Sequence, residues 1–175
     1  MAACGDDDRN VSARGEDTTT SAPESTAPAS TAAPSTDAPT APGFRAIEYG
    51  GLRFEVPDDW PVYDLAQEPT RCVRFDQHAV YLGHAGPDQD CPAQLIGRTD
   101  AIQIEPIDAT SETTATRATT SSVVNELPVR QDPSSSVTRS LVVAFDSAGV
   151  VATITFSDDD ALAQQILHTF GPATP

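Results

Sequence analysis

The densest chemical signal in the sequence is the run Cys72-Val73-Arg74-Phe75-Asp76-Gln77-His78-Ala79-Val80-Tyr81-Leu82-Gly83. A cysteine and a histidine with an aspartate between them suggest thiolate catalysis, Asp76 orienting His78. The base must lie within hydrogen-bond reach of the sulfur. Extended chain would hold residues 72 and 78 roughly 20 Å apart, so only a turn between them would make the pair. Cys91 offers Cys72 another use. A disulfide between the two closes a loop of about 20 residues and contributes roughly 3 kcal/mol on the chain-entropy model. That pairing is expected of an exported chain and removes the thiolate; two reduced core thiols are the alternative.

The other candidate groups are weaker. A zinc site drawn from His78, His84, Asp88, Asp90 and Cys91 lacks the short ligand spacings such sites use. Asp88-Gln89-Asp90 and Asp158-Asp159-Asp160 lack the glycine and terminal glutamate of an EF-hand frame. No metal and no cofactor is therefore expected. Arg71, Arg74 and Arg98 are candidates for an anion or carboxylate site beside the disulfide loop, since arginine suits bidentate recognition of carboxylates. The plain alternative is surface pairing with Asp76, Asp88 or Asp90. Trp60, with Tyr63 and Tyr81, is a candidate sugar-stacking surface, against the simpler role of core anchor. No catalytic residue is nominated. Glycoside hydrolysis needs two carboxylates at a defined separation, and 26 acidic residues offer no way to choose. Neither a phosphate-binding glycine loop nor a Gly-x-Ser-x-Gly elbow occurs.

Charge narrows the classes further. Ten basic residues, all arginine, face those 26 acidic ones, for a net charge of −16 over 175 residues. Nucleic-acid binding needs a basic face that displaces counterions from phosphate, so no nucleic-acid partner is expected. A polybasic attachment to anionic lipid is excluded on the same ground.

The elements that must position these residues begin late. All the Phe, Tyr and Trp residues lie from Phe44 to Phe170. Residues 1–43 have none and cannot build a core that offsets chain entropy. From Thr18 to Pro42 only Glu24 and Asp37 interrupt Ala, Pro, Ser and Thr, which predicts a long disordered stalk. Residues 44–171 are expected as a single α+β domain and 172–175 as a tail. Within the domain, 109–122 is Ala, Ser and Thr except for Glu112 and Arg117, which predicts a flexible, exposed loop.

Gly50-Gly51 between Phe44–Tyr49 and Leu52–Val56 predicts a hairpin with a positive-φ turn. Cys72–Phe75, Ala79–Leu82 and Ala101–Ile104 read as short strands. Val137–Phe145 and Val150–Phe156 are β-branched, alternating runs around a turn at Asp146–Gly149. A helix follows, started by Ser157 or Asp158 and closed by Gly171-Pro172. Leu162, Ile166 and Phe170 mark its apolar face, with Leu167 beside them. The expected fold is α+β: an antiparallel sheet with the C-terminal helix packed on it.

Met1-Ala2-Ala3-Cys4-Gly5, followed by Asp6-Asp7-Asp8, resembles the end of a bacterial lipoprotein signal. The resemblance implies that Cys4 is the lipidated first residue of the mature chain. Met1 stands where the family has Leu, and the charged and apolar parts of the leader are expected upstream of it. Acyl chains would then supply a membrane attachment that the acidic surface cannot. The stalk would hold the domain off the outer face of the cell membrane by roughly 35 Å as a flexible coil.

The folded part carries two looser likenesses. The run from Cys72 to Gly83, with Cys91-Pro92-Ala93 and Gly97-Arg98-Thr99, resembles a module of secreted actinobacterial-type proteins that precedes glycoside-hydrolase-like barrels. The hydrolase activity of that neighbour is not expected to transfer. Gly51-Leu52-Arg53-Phe54-Glu55-Val56-Pro57 with Trp60, and the closing strand and helix from Val150 to Phe170, are similar to the ends of Mog1/PsbP-like lipoprotein domains. Those are mostly non-enzymatic α/β sandwiches that often bind partners. The leading expectation is a lipid-anchored cell-envelope protein that binds an envelope protein or glycan without catalysis. An envelope enzyme acting on cell-wall glycan and an accessory subunit of a membrane complex are the alternatives. A carboxylate of raised pKa in a cleft would favour the enzyme.

Overall fold

A computed structural model describes residues 40–41, 43–94 and 97–173. Most of the expected stalk, and Cys4 with it, lies outside these residues. The described chain is mostly strand. Its elements are β1 (Phe44–Tyr49), β2 (Leu52–Pro57), β3 (Val62–Asp64), β4 (Val80–Leu82), β5 (Ala101–Pro106), α1 (Glu112–Arg117), β6 (Thr120–Val124), β7 (Leu127–Gln131), α2 (Ser135–Thr138), β8 (Ser140–Phe145), β9 (Val150–Thr155), α3 (Ala161–Leu167) and β10 (Gly171–Pro172).

Strands β1, β2 and β10 form a small antiparallel sheet. Its hairpin turn places Gly50 at φ 57° and Gly51 at φ 77°, the conformation that glycine adopts without steric cost. The other strands form a seven-stranded sheet in the order β3-β4-β5-β9-β8-β7-β6. This sheet is mixed. β3 pairs parallel with β4, and β4 with β5, and the remaining pairs are antiparallel. The all-antiparallel expectation fails here for a physical reason. Parallel neighbours need long crossovers, usually helical. Here the described residues of 65–79 and 83–100 cross over without a helix, so no helical period reveals them. Cys72 lies in the first crossover and Cys91 in the second. Their disulfide, with Cα atoms 5.0 Å apart, staples one crossover to the other. Cys72–Phe75 forms no strand; an isolated parallel bridge joins Arg71 to Asp90.

The main core lies between the large sheet and a layer made of β2 and α3. Leu52, Phe54 and Val56 meet Val80, Ile102, Ile104, Val143 and Ile154, with Ile166, Leu167 and Phe170 closing one side. α3 buries Ile166 and Leu167 with Ala163, but it ends at Leu167. Phe170 lies beyond it, and Gly171–Pro172 forms β10 rather than closing the helix or opening a tail. The N-cap is Asp160 rather than Ser157 or Asp158. Asn125 ties the far hairpin to this layer. It donates from Nδ2 to the carbonyl oxygens of His168 and Phe170. That turn needs positive φ at both Asn125 and Glu126, the two-residue geometry in which asparagine is favoured.

The stretch 109–122 is not a loop. It carries α1 and most of β6. Ala115 and Ala118 are buried against Val142, Ala144 and Val151 on the second face of the large sheet. Small side chains let the helix sit close to the strands, and they also blur the amphipathic contrast that would reveal it. Arg130 holds the helix end. It donates to the carbonyls of Ala115 and Ala118 at 3.2 and 2.7 Å while forking onto Asp146. Val137 falls in α2 rather than in the strand expected from it.

Candidate functional site: a polar groove on the second sheet face

Alternation along β5 sends Ile102 and Ile104 into the core and leaves Gln103 and Glu105 on the opposite face. β9 does the same with Thr153 and Thr155, and the register sets Gln103 beside Thr153. These residues and Ser140 are the floor of a groove of about 530 Å³. One wall is Phe75 and Arg98 from the stapled crossovers. The other is Thr114 and Arg117 of α1 with Ser134, the N-cap of α2, and Thr138, its last residue. The Thr138 carbonyl joins this wall to Arg98 of the first. A solvated sheet face is ordinary in such folds; two walls standing on it are what make this face a site.

Each wall is fixed by hydrogen bonds. The Arg98 guanidinium lies 5.9 Å from the centre of the Phe75 ring, and its Nη1 donates to the Thr138 carbonyl at 2.5 Å. Thr155 Oγ1 donates to the Thr99 carbonyl at 2.7 Å, which holds the crossover onto the floor. Opposite, Arg117 Nε donates to Asp132 at 3.0 Å. Ser134 donates to the same carboxylate from its N–H and its hydroxyl. These Ser134 bonds, with Arg117, hold the Asp132 pKa below the usual carboxylate range.

Glu105 is the floor's acid. His84 Nδ1 lies 3.0 Å from Glu105 Oε2, and His84 Nε2 lies 2.8 Å from Asp108 Oδ2. Burial raises the Glu105 pKa and outweighs the opposing pull of His84. Burial also works against the charged imidazole, but hydrogen bonds to both carboxylates prevail and raise the His84 pKa above 6.5. A histidine whose pKa rises on folding stabilises fully below its unfolded value. That contribution is lost as pH climbs through the folded value. Replacing His84 by Gln is therefore expected to lower Tm at about pH 6 and to lower it less at about pH 8.5. Thermal melts of both proteins at the two pH values check this. An equal deficit at both would mean that the carboxylates do not hold the imidazole's proton.

The residues singled out from sequence scatter. Arg71 and Arg74 line a second hollow of about 600 Å³ with Tyr63, Gln77 and Asp90. Both are already matched with acids. Arg71 Nε donates to Glu68 at 2.9 Å, and Arg74 forks onto Asp76 at 3.0 and 2.8 Å. Arg98 stands apart from them in the groove. The sugar-stacking reading of Trp60 and Tyr81 is overturned by burial. Trp60 is 3 % exposed and stacks on His78, and Tyr81 is fully buried, with Gln77 donating to its hydroxyl. Thiolate chemistry at Cys72 is precluded by the disulfide. Among the described residues no three His, Cys, Asp or Glu side chains form a metal-binding group. Gln103, Glu105, Arg117 and Thr153 were not among the sequence candidates. For the three strand residues the signal was the polar half of two alternating strands, which gains meaning only once β5 and β9 are paired; Arg117 stood in the stretch read as a loop.

Chemically, the groove is a polar lining with one aromatic ring. Its hydroxyls, amide and guanidinium groups can donate and accept in several directions, and Phe75 adds an apolar face. Both ring nitrogens of His84 are engaged by carboxylates. Fold and groove together define a class: a mixed β protein with a polar cleft walled by disulfide-stapled crossovers. Neither a protein-family model, nor a curated protein, nor a solved structure matches this chain.

Proposed function

We propose that the chain is a lipid-anchored cell-envelope module that binds glycan in this groove without cleaving it. The observation that carries the reading is the lining itself. A cleft of about 530 Å³ combines one aromatic ring, two arginines, one amide, one carboxylate and a set of Ser and Thr hydroxyls. Sugars present hydroxyls in a ring around apolar C–H faces, and such a lining pairs with both. The Cys72–Cys91 disulfide supports an oxidising compartment. Anchoring through Cys4 rests on the N-terminal residues alone; among the described residues no helix is long and apolar enough to cross a membrane.

Cleavage has one observation in its favour, the raised pKa of Glu105. Glycoside hydrolysis asks for a second carboxylate across the scissile bond, and Glu105 is the one acid in the lining. Binding is therefore the reading adopted. The test is co-sedimentation of the full chain with insoluble peptidoglycan, and calorimetric titration with chitooligosaccharides. Phe75→Ala and Arg98→Ala are each expected to weaken association about tenfold. Arg71→Ala, in the other hollow, is expected to leave it unchanged. Wild-type protein that stays in the supernatant and gives no heat, or equal binding by all four proteins, sinks the proposal. Release of reducing ends would favour the enzyme instead.

A further inference from the structure

With 26 acidic residues against 10 basic ones, an arginine that lacks a carboxylate is the exception in this chain. Arg53, Arg71, Arg74, Arg117, Arg130 and Arg139 are each ion-paired with an Asp or Glu. Arg45 is half-buried and donates to the Trp60 carbonyl. Arg98 differs. It is exposed, and among the described residues no carboxylate pairs with it. Its Nη1 donates to the Thr138 carbonyl at 2.5 Å. The other edge of the guanidinium, Nε with Nη2, meets no acceptor among the described residues. That edge is a planar fork whose two N–H groups match the two oxygens of a carboxylate. The Phe75 ring lies beside it, its centre 5.9 Å from the guanidinium carbon.

We propose that the groove takes an acidic glycan, one carboxylate of the sugar chain docking on the Nε–Nη2 edge of Arg98 while Phe75 covers an apolar C–H face beside it. This rests on glycan binding in the groove and adds the class of sugar. The other two charges of the lining are already matched. Arg117 is ion-paired with Asp132, and Glu105 meets His84 at 3.0 Å. Arg98 is therefore the unmatched charge of the lining, and it is positive. The acids elsewhere on the surface do not cancel it at contact range, because exposed charges more than about 8 Å apart are largely screened at physiological salt. A neutral sugar leaves the fork to water. A carboxylate replaces that water with two charge-assisted hydrogen bonds. The recognised group is the carboxylate, whether it sits on the lactyl ether of an amino sugar or at C6 of a uronic acid.

Calorimetric titration of the full chain with matched pairs of sugars tests the proposal. N-acetylglucosaminyl-N-acetylmuramic acid differs from chitobiose by its lactyl group, and trigalacturonate differs from its methyl ester at the carboxyl groups. In at least one pair the acidic member is expected to bind about tenfold tighter than the neutral one at low salt. The pair that shows the preference identifies where the carboxylate sits. Added salt narrows the preference. Arg98→Gln, which keeps an amide donor for the Thr138 carbonyl, abolishes it, and Arg71→Gln keeps it. Far-UV circular dichroism verifies that Arg98→Gln is folded; if it is not, Arg98→Lys takes its place, keeping the charge but losing the fork, and reduces the preference. Equal binding of the acidic and neutral members of both pairs overturns the proposal and leaves glycan binding standing. So does a preference that survives the Arg98 variants. No heat from any of the four sugars overturns it as well, and co-sedimentation with peptidoglycan then decides glycan binding separately.

Discussion

Replacing Phe170 by Ala is expected to cost about 4 kcal/mol of unfolding free energy, the largest single-residue effect in the domain. The ring is fully buried. It stacks on Phe54 with centroids 4.7 Å apart and planes 6° apart, and on Phe145 at 5.0 Å and 16°. Phe54 belongs to the small sheet and Phe145 to the large one, so Phe170 is the shared filler that lets two sheets act as one core. Its loss leaves a cavity and two orphaned ring faces, each stack contributing about 1 kcal/mol beyond area burial. The backbone around it cannot collapse easily. Asn125 and the hydroxyl of Thr169, which accepts from the Glu55 N–H at 2.8 Å, pin the segment on both sides. Urea denaturation measures the change. Phe170→Leu, which refills most of the volume, is expected to cost under about 1.5 kcal/mol. Equal costs for the two variants would mean that the stacks are immaterial.

The second large effect is expected from the disulfide. Changing Cys72 and Cys91 to Ser removes a closed loop with a sequence separation of 19, worth about 3 kcal/mol on the chain-entropy model. In a domain of this size that lowers Tm by roughly 10 °C. The damage should also reach the groove. The crossovers that supply Phe75 and Arg98 have little regular structure of their own. What holds them besides the disulfide is a small cluster of Leu65, Ala79 and Tyr81. A few bonds add to it, such as Asp90 N–H to the Thr70 carbonyl at 2.8 Å and Val73 N–H to Gln89 at 2.8 Å. Thermal melts with and without reductant, and glycan titration of the double variant, test both consequences together. An unchanged Tm would mean that the crossovers are held by their packing alone.

Those crossovers are also where the sequence was least legible. The first hairpin announced itself through Gly50-Gly51, and β9 through its alternation. α3 was visible in Ile166 and Leu167. Each is a local pattern that its own residues complete. The parallel pairing of β3, β4 and β5 is not local, since nothing in three-residue strands states which neighbour they will find. α1 was hidden because Ala115 and Ala118 bury their methyl groups in a stretch that reads as polar. The β6–β7 hairpin was hidden because Asn125-Glu126 takes positive φ without a glycine to mark it. Arg98 was noticed in the sequence but grouped with Arg71 and Arg74. It lines the groove with Gln103 and Thr153, which only the pairing of β5 with β9 sets side by side.

The last residues of the fold hold its first ones: β10 pairs with β2, and Phe170 stacks on Phe54. A chain made from its N-terminus therefore cannot seal this core until Phe170 and β10 have been made. Early segments stay loose while later ones emerge, which slows folding. This order also makes Phe170 a checkpoint: a product cut short before that residue lacks the ring that joins its sheets.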